Sequence, residues 1–261
     1  MAAFPALRAL GGAFLGGAKS APTLHVTLTE AGLDVDVTGV EKKGGGVNAR
    51  TYARAAELAR AADLARLTLD GDVVYGARAP IVRFGRATVA LHPGGFLQAV
   101  AEAEAFMADA VVEAVRGARK VADLFSGSGA FTFRLAEVAA VAAFDSEPLA
   151  TGALKTAIGT APGLKTVTVE ARDLFRRPLA AAELNRFDAV AFDPPRAGAV
   201  AQAGEIARSK VPVVVGVSCN PATFARDARV LKSGGYRLER VTPVDQFLWS
   251  PHIELVGVFR R

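Results

Sequence analysis

Cys219 is the only cysteine in the chain, and it stands where a strand-like run, Val213-Val-Val-Gly-Val-Ser218, gives way to Asn220-Pro221 and a helical pattern. Asn220 reads as an N-cap and Pro221 as the first helical residue, where a missing N–H costs nothing. In the following stretch, Ala222 to Lys232, Phe224, Ala228 and Leu231 share one face, and Gly234 ends it. A sulfur at this mouth meets free backbone N–H groups and the positive end of a helix dipole, which favour the thiolate and hence nucleophilic addition. The competing reading is a small buried hydrophobe, because unpaired cysteine is among the most buried residue types.

A second constellation points to a ligand. Val121-Ala-Asp-Leu-Phe-Ser-Gly-Ser-Gly-Ala-Phe131 runs from a strand through a Gly-x-Gly turn into a helix. Gly127 and Gly129 permit positive φ and a close backbone approach at the helix N-terminus. Asp145 ends the next strand, where a carboxylate can hold paired ribose hydroxyls, and Asp173 follows the third, placed to accept from an adenine amino group. Either acid alone also reads as a solvated loop charge or a helix cap. In this order the set argues for an adenosyl ligand. A dinucleotide fingerprint wants a third glycine three residues beyond Gly129, where Thr132 stands, so the pattern leans to S-adenosylmethionine over NAD.

A third element, Phe187-Asp-Ala-Val-Ala-Phe-Asp-Pro-Pro-Arg196, is a strand ending in a rigid double proline. The carbonyls of Pro194 and Pro195 are expected to stay unpaired and to face a planar base, although a plain rigid turn has the same signature.

The elements that must hold these residues fall into two grammars. Alternation in Thr23–Thr29, Leu33–Val37, Ala65–Asp70, Val73–Tyr75 and Ala87–Leu91, interrupted by a helix around Tyr52–Ala65, predicts a small antiparallel sheet. The start, Met1 to Gly17, reads as loop or a truncated edge, and Lys42-Lys-Gly-Gly-Gly46 is the only low-complexity piece. From about Gln98, helices alternate with strands at Val121–Phe125, Val141–Asp145, Thr166–Val169, Phe187–Asp193, Val213–Val217, Tyr236–Val241 and Glu254–Phe259. The first helix, Ala99–Arg116, carries Val100, Phe106, Ala110 and Val111 at helical spacing. The expected architecture is α/β: a Rossmann-like, seven-stranded doubly wound sheet over 96–261, with a smaller, mainly β region over 1–95 and a boundary near Gly94-Gly95. Hydrophobic content of 51% with 22% charged residues over 261 positions excludes disorder as the main state. One cysteine excludes an internal disulfide framework and any cysteine-held metal cluster within the chain. A net charge of +5, dominated by arginine, suits nucleic acid as a partner.

Asp193-Pro-Pro-Arg196, Val217-Ser-Cys-Asn-Pro-Ala222, Gly234-Gly-Tyr236, Pro243-Val-Asp-Gln-Phe247 and His252-Ile-Glu254 together resemble the RNA uridine-5-methyltransferases, which make 5-methyluridine in transfer and ribosomal RNA. The likeness runs from about Phe96 to the C-terminus, and more loosely back to about Thr23. It implies a class I methyltransferase fold, Cys219 as nucleophile and Glu254 as general base. It further implies S-adenosylmethionine contacts at Gln98, Phe125, Asp145, Asp173 and Asp193, to which the turn adds Gly127 and Gly129 as cofactor-binding candidates; Pro194, Pro195 and Arg196 are the candidates to face the substrate. Arg226 and Arg229 are added as candidates for RNA contacts, against the reading of a solvated helix face. Glu254 also reads as a surface charge on a strand, and His252 as a pairing partner rather than the base. The family's N-terminal RNA-binding barrel and cluster-binding cysteines are not visible, and Ser126 and Ala130 depart from the usual cysteine and asparagine. The resulting expectation is a cytoplasmic monomer that acts on RNA without metal or membrane. An RNA cytosine-5-methyltransferase, and a non-catalytic cofactor- or RNA-binding remnant, remain as alternatives.

Overall fold

The computed structural model describes residues 4–15, 22–40, 49–247 and 249–261. They divide into two compact units, Met1–Val82 with Ala90–Leu97, and Arg83–Val89 with Gln98–Arg261. The glycine-rich stretch Lys42–Gly46 lies outside the described residues.

The first unit holds α1 (Phe4–Leu15), β1 (Thr23–Thr29), β2 (Gly32–Thr38), α2 (Ala49–Ala61), β3 (Arg66–Leu69) and β4 (Asp72–Gly76). The start is therefore helical where loop was expected. Leu10 and Phe14, four residues apart, share one core with Val35, Val37 and Leu67, and that burial outweighs the cost of about 1 kcal/mol for each glycine in the helix. The sheet order is β1-β2-β3-β4. It is mixed rather than antiparallel, because β2 and β3 run parallel. A parallel pair needs a crossover, and α2 is that crossover. The junction is pinned by Arg66, whose Nε and Nη2 donate to Asp34 Oδ1 and Oδ2 at 2.8 and 2.6 Å. A two-stranded ladder of β5 (Ile81–Phe84) and β6 (Ala87–Ala90) follows; β5 has too short an alternation to stand out in the sequence.

The second unit continues with α3 (Ala101–Ala114), β7 (Lys120–Leu124), α4 (Ala130–Ala136), β8 (Ala140–Asp145), α5 (Pro148–Ala157), β9 (Val167–Ala171), α6 (Ala181–Leu184), β10 (Ala189–Phe192), α7 (Val200–Arg208), β11 (Val213–Ser218), α8 (Pro221–Ser233), β12 (Arg237–Val244) and β13 (Glu254–Arg260). They build one seven-stranded sheet in the order β12-β13-β11-β10-β7-β8-β9. β7 to β11 are parallel, and β13 enters antiparallel to β11. Alternate residues of each central strand feed opposite faces. Val121, Ala189, Ala191 and Val215 pack with Met107, Val111, Phe131 and Leu135 of α3 and α4, whereas Ala122, Val190, Phe192 and Val214 pack with Ile206, Ala228 and Leu231 of α7 and α8. Each fully buried aliphatic side chain contributes about 1.5–3 kcal/mol. On α3 the buried face is set by Met107, Val111 and Ala114, and the expected core residue Phe106 is 51% exposed: it lies one position round from the stripe. The strand order reverses between β7 and β10, which opens a crevice at the carboxyl ends of the strands.

Candidate active site

The nucleophile side is built by the β11–α8 turn. Asn220 caps α8 as expected, its Oδ1 accepting from Ala222 N at 3.0 Å, with Pro221 in the first turn. The same side chain reaches back to the 193–199 loop, where Asn220 Nδ2 and Thr223 Oγ1 both donate to Arg196 O, at 3.1 and 3.2 Å. Farther along α8, Arg226 Nη2 donates to Ala197 O at 2.9 Å, and buried Asp227 accepts from Ala199 N at 2.7 Å and from Arg226 Nε at 2.9 Å. Gly198, at φ +71°, sits so close to this clamp that a Cβ would lie 2.5 Å from Arg226 Nη2. The double-proline loop is thus fastened to the helix that follows the cysteine. Arg226 is spent on that clamp, whereas Arg229 is exposed. Pro195 O is not unpaired as expected, since it accepts from Gly198 N at 2.8 Å and closes the turn.

The β11–β13 ladder ends with Ser218 opposite Leu255, so the next residue on each strand, Cys219 and Glu254, leave it side by side. Asp193 follows Phe192, which pairs with Leu124 on one side and Gly216 on the other. Cys219 is partly exposed and Glu254 is buried. This company reverses one expectation. Burial, and then the negative charges of Glu254 and Asp193, push the Cys219 thiol up, and they outweigh its own backbone bond and the Arg196 cation. The helix mouth alone would have favoured the thiolate; burial and two carboxyls along the same edge do not. Asp193 itself is pushed up to about 8 by burial, then by Glu254 and Asp123, although part of its surface reaches solvent. Burial also raises Glu254, against a hydrogen bond from Gln246 and the charge of His252. His252 pairs with Arg196 (Nδ1 to Nη1, 3.3 Å) and meets the Phe247 ring edge-on at 6.1 Å.

The glycine turn lies on the same edge. Gly129 caps α4 in the left-handed region at φ 101°, and a Cβ there would stand 2.8 Å from the Phe133 ring. Gly127, at φ +53°, has open space where its Cβ would be. Phe125, at φ 62°, is a non-glycine residue held in that region, a conformation uncommon for a side chain of its size. Its ring packs against half-exposed Phe175 at 5.4 Å. Asp145 braces the turn, accepting from Gly127 N through Oδ2 and from Glu147 N through Oδ1, both at 2.8 Å. Each oxygen keeps a second lone pair. Asp173 is more heavily committed: Oδ1 accepts from Phe175 N and Arg176 N, and Oδ2 lies 3.5 Å from Arg176. Thr132, at the place of a third glycine, donates to Asp123 Oδ2 at 2.5 Å. The other Asp123 oxygen is buried without a hydrogen-bond partner, and burial pushes this carboxyl up to about 7.

The model of the tRNA (uracil-5-)-methyltransferase family matches residues 85–261. The chain belongs to this family. It is 60% identical over 261 residues to an uncharacterized RNA methyltransferase of Caulobacter vibrioides, covering all of this chain and 63% of that protein. It is 38% identical over 172 residues to the 23S rRNA (uracil(1939)-C(5))-methyltransferase RlmD of Chromohalobacter salexigens, covering 65% of this chain and 35% of that one. Among solved structures, Pyrococcus abyssi tRNA (uracil-54, C5)-methyltransferase in complex with S-adenosyl-L-homocysteine aligns with a TM-score of 0.67 at 27% identity, over 90% of this chain and 59% of its own. The fold is that of the class I methyltransferases. The chain spans about three fifths of the length of the relatives it matches most fully.

Within the family fold, Gln98 and Glu254 are linked by a residue that sequence reasoning passed over. Gln246 donates to Gln98 Oε1 at 2.8 Å and to Glu254 Oε1 at 3.2 Å. Glu104 takes a backbone hydrogen bond from Gln98, and burial pushes its carboxyl up to about 7. Trp249, the single tryptophan, is 103% exposed at φ 69° five residues before Glu254. Gln246 stood inside a quoted motif without a role; Glu104 and Trp249 carried no spacing signal. Among the described residues no group of three or more His, Cys, Asp or Glu is placed to hold a metal ion, and no helix is long and apolar enough to cross a membrane.

Proposed function

We propose that the protein methylates C5 of a uridine in RNA, with Cys219 as nucleophile, Glu254 as general base and S-adenosylmethionine as donor. The observation that carries the reading is the placement of Cys219 and Glu254 side by side at the end of one ladder, on the sheet edge that also bears the glycine turn and Asp193-Pro-Pro-Arg196. Family membership and the uracil-C5 activities named for the two relatives support it.

The residues present fit an adenosyl cofactor. Gly127 leaves open space for a ligand, Asp145 retains acceptor capacity for two ribose hydroxyls, and Phe125 with Phe175 offers an apolar wall for a base. Gln98 and Asp193 complete the set, with Asp173 at its rim. When bound, the cofactor supplies an electrophilic methyl group.

The protein's own groups do the rest. Cys219 loses its proton to solvent, helped by the Arg196 cation, and Sγ adds to C6 of the uracil. The C5=C6 electron pair moves onto C5 and O4, which makes C5 nucleophilic enough to be methylated. C5 then carries a proton and the new methyl group. Glu254 takes the proton, the C–H electrons re-form C5=C6, and the C6–Sγ bond breaks to return the thiolate. A uracil inside a stacked helix cannot offer its face to Sγ, so the base must lie in a loop or be flipped. Pro194 and Pro195 wall the face it enters, Arg196 stands beside it, and the exposed Trp249 ring provides a stacking surface for a neighbouring base.

Incubation with cofactor and 5-fluorouridine-substituted RNA tests the proposal. A denaturation-stable protein–RNA adduct, mapped to Cys219 and absent from Cys219→Ala, is expected. Nucleoside analysis of natural RNA should show 5-methyluridine; 5-methylcytidine in its place, or turnover by Cys219→Ala, would refute the assignment.

A further inference from the structure

We propose that Gln246 is a positioning residue, whose amide ties the base Glu254 to the cofactor-side residue Gln98 and so fixes which carboxylate oxygen meets the C5 proton. This rests on the reading of Glu254 as the base. Three hydrogen bonds converge on one side chain: Nε2 donates to Gln98 Oε1 at 2.8 Å and to Glu254 Oε1 at 3.2 Å, and Oε1 accepts from Val100 N at 3.3 Å. Both Nε2 protons are thereby used. The amide also has one tolerable orientation, because a flip would set its oxygen against two acceptors and its NH2 against the Val100 N–H.

The consequence is directional. Gln246 lies in the connection between β12 and β13, so it holds Glu254 from the strand's entry and Gln98 from the segment before α3. With Oε1 of Glu254 committed, Oε2 is the oxygen left to accept the proton from C5. With Oε1 of Gln98 committed, its Nε2 donors are left for a ligand acceptor. A hydrogen bond donated to a buried carboxylate favours its charged form, and that form is the one that abstracts a proton. Methyl transfer itself does not use Glu254. Loss of Gln246 should therefore spare formation of the Cys219–C6 bond and slow its breakage, leaving a methylated adduct waiting for its base.

The test uses the full chain with Gln246→Leu, Gln246→Glu, and Glu254→Gln as the reference for a missing base. Expected for both Gln246 variants at neutral pH is adduct formation on 5-fluorouridine-substituted RNA at near the wild-type rate. On unmodified ribosomal and transfer RNA, product release should be slowed roughly tenfold, with the covalent adduct accumulating. A second readout needs no cofactor. The alkylation rate of Cys219 by iodoacetamide senses the charge of Glu254: Gln246→Leu keeps that carboxyl neutral to higher pH, so the thiol's inflection with pH should move downward. Equal slowing of adduct formation and release, or wild-type release with an unmoved inflection, overturns the inference. Wild-type turnover by Glu254→Gln would instead bring down the base assignment itself, and the inference with it.

Discussion

Replacing Asn220 separates two jobs that one side chain performs. Its Oδ1 caps α8 on Ala222 N at 3.0 Å, and its Nδ2 holds Arg196 O at 3.1 Å. Removing an N-cap costs about 1 kcal/mol, and losing the exposed hydrogen bond to Arg196 O up to about another 1 kcal/mol. Arg196 O is not orphaned, because Thr223 still donates to it. Asn220→Ala should therefore destabilise the protein by up to about 2 kcal/mol. For a chain of this size 2 kcal/mol is a fall of roughly 4–8 °C in Tm. Asn220→Asp keeps the capping oxygen and loses only the donor, so it should fall at most roughly half as far. It also adds a negative charge next to Cys219, so its thiol should alkylate more slowly than that of Asn220→Ala. Thermal unfolding by circular dichroism and iodoacetamide kinetics read the two effects separately. Equal Tm values for both variants, or a Tm for Asn220→Ala within about 1 °C of the wild type, would refute the double role, since the cap alone is worth more than that.

Other outcomes follow from the same geometry. Glu254→Gln removes a charge that holds the Cys219 thiol up, so alkylation of Cys219 near neutral pH should speed up even as turnover is lost; mass spectrometry of the modified peptide measures it. Burial raises the Asp123 and Asp193 carboxyls from the usual 3.8 to about 7 and about 8. Between about pH 4 and these values the folded protein binds more protons than the unfolded chain, and stability declines as pH rises through that window. Tm should therefore be lower at pH 8 than at pH 6, and Asp123→Asn should flatten the dependence. Trp249 is the only tryptophan, so unstructured RNA should quench intrinsic fluorescence if its ring stacks on a base. Trp249→Ala should then raise the KM for RNA by about tenfold with kcat little changed; an unchanged KM would remove this residue from the RNA contacts.

Local order was readable from the residues because it is set locally. The alternation of Thr23–Thr29, the Asn220-Pro221 helix start, and the seven apolar runs from Val121 onward all depend on neighbours a few positions apart, and each appears in the structure within a few residues. The helical start at Phe4–Leu15 escaped notice because its glycines argue against a helix, and only the core formed with Val35 and Leu67 supplies the compensating burial. The parallel β2–β3 pair was hidden for a similar reason: a helix between two strands reads as an interruption until their register shows it to be a crossover.

By itself the sequence determined the α/β class, the strand-to-helix turn that presents Cys219, and the residue types available for thiolate addition and proton abstraction. Only the tertiary structure decided their electrostatic state. The helix mouth, a local feature, favours the thiolate, yet burial, and then Glu254 and Asp193 arriving from strands 35 and 26 positions away, push the thiol up instead. The Gln98–Gln246–Glu254 line joins residues 148 positions apart. Charge–charge energies depend on distance through space and on burial, and neither is written in the spacing of residues along a chain.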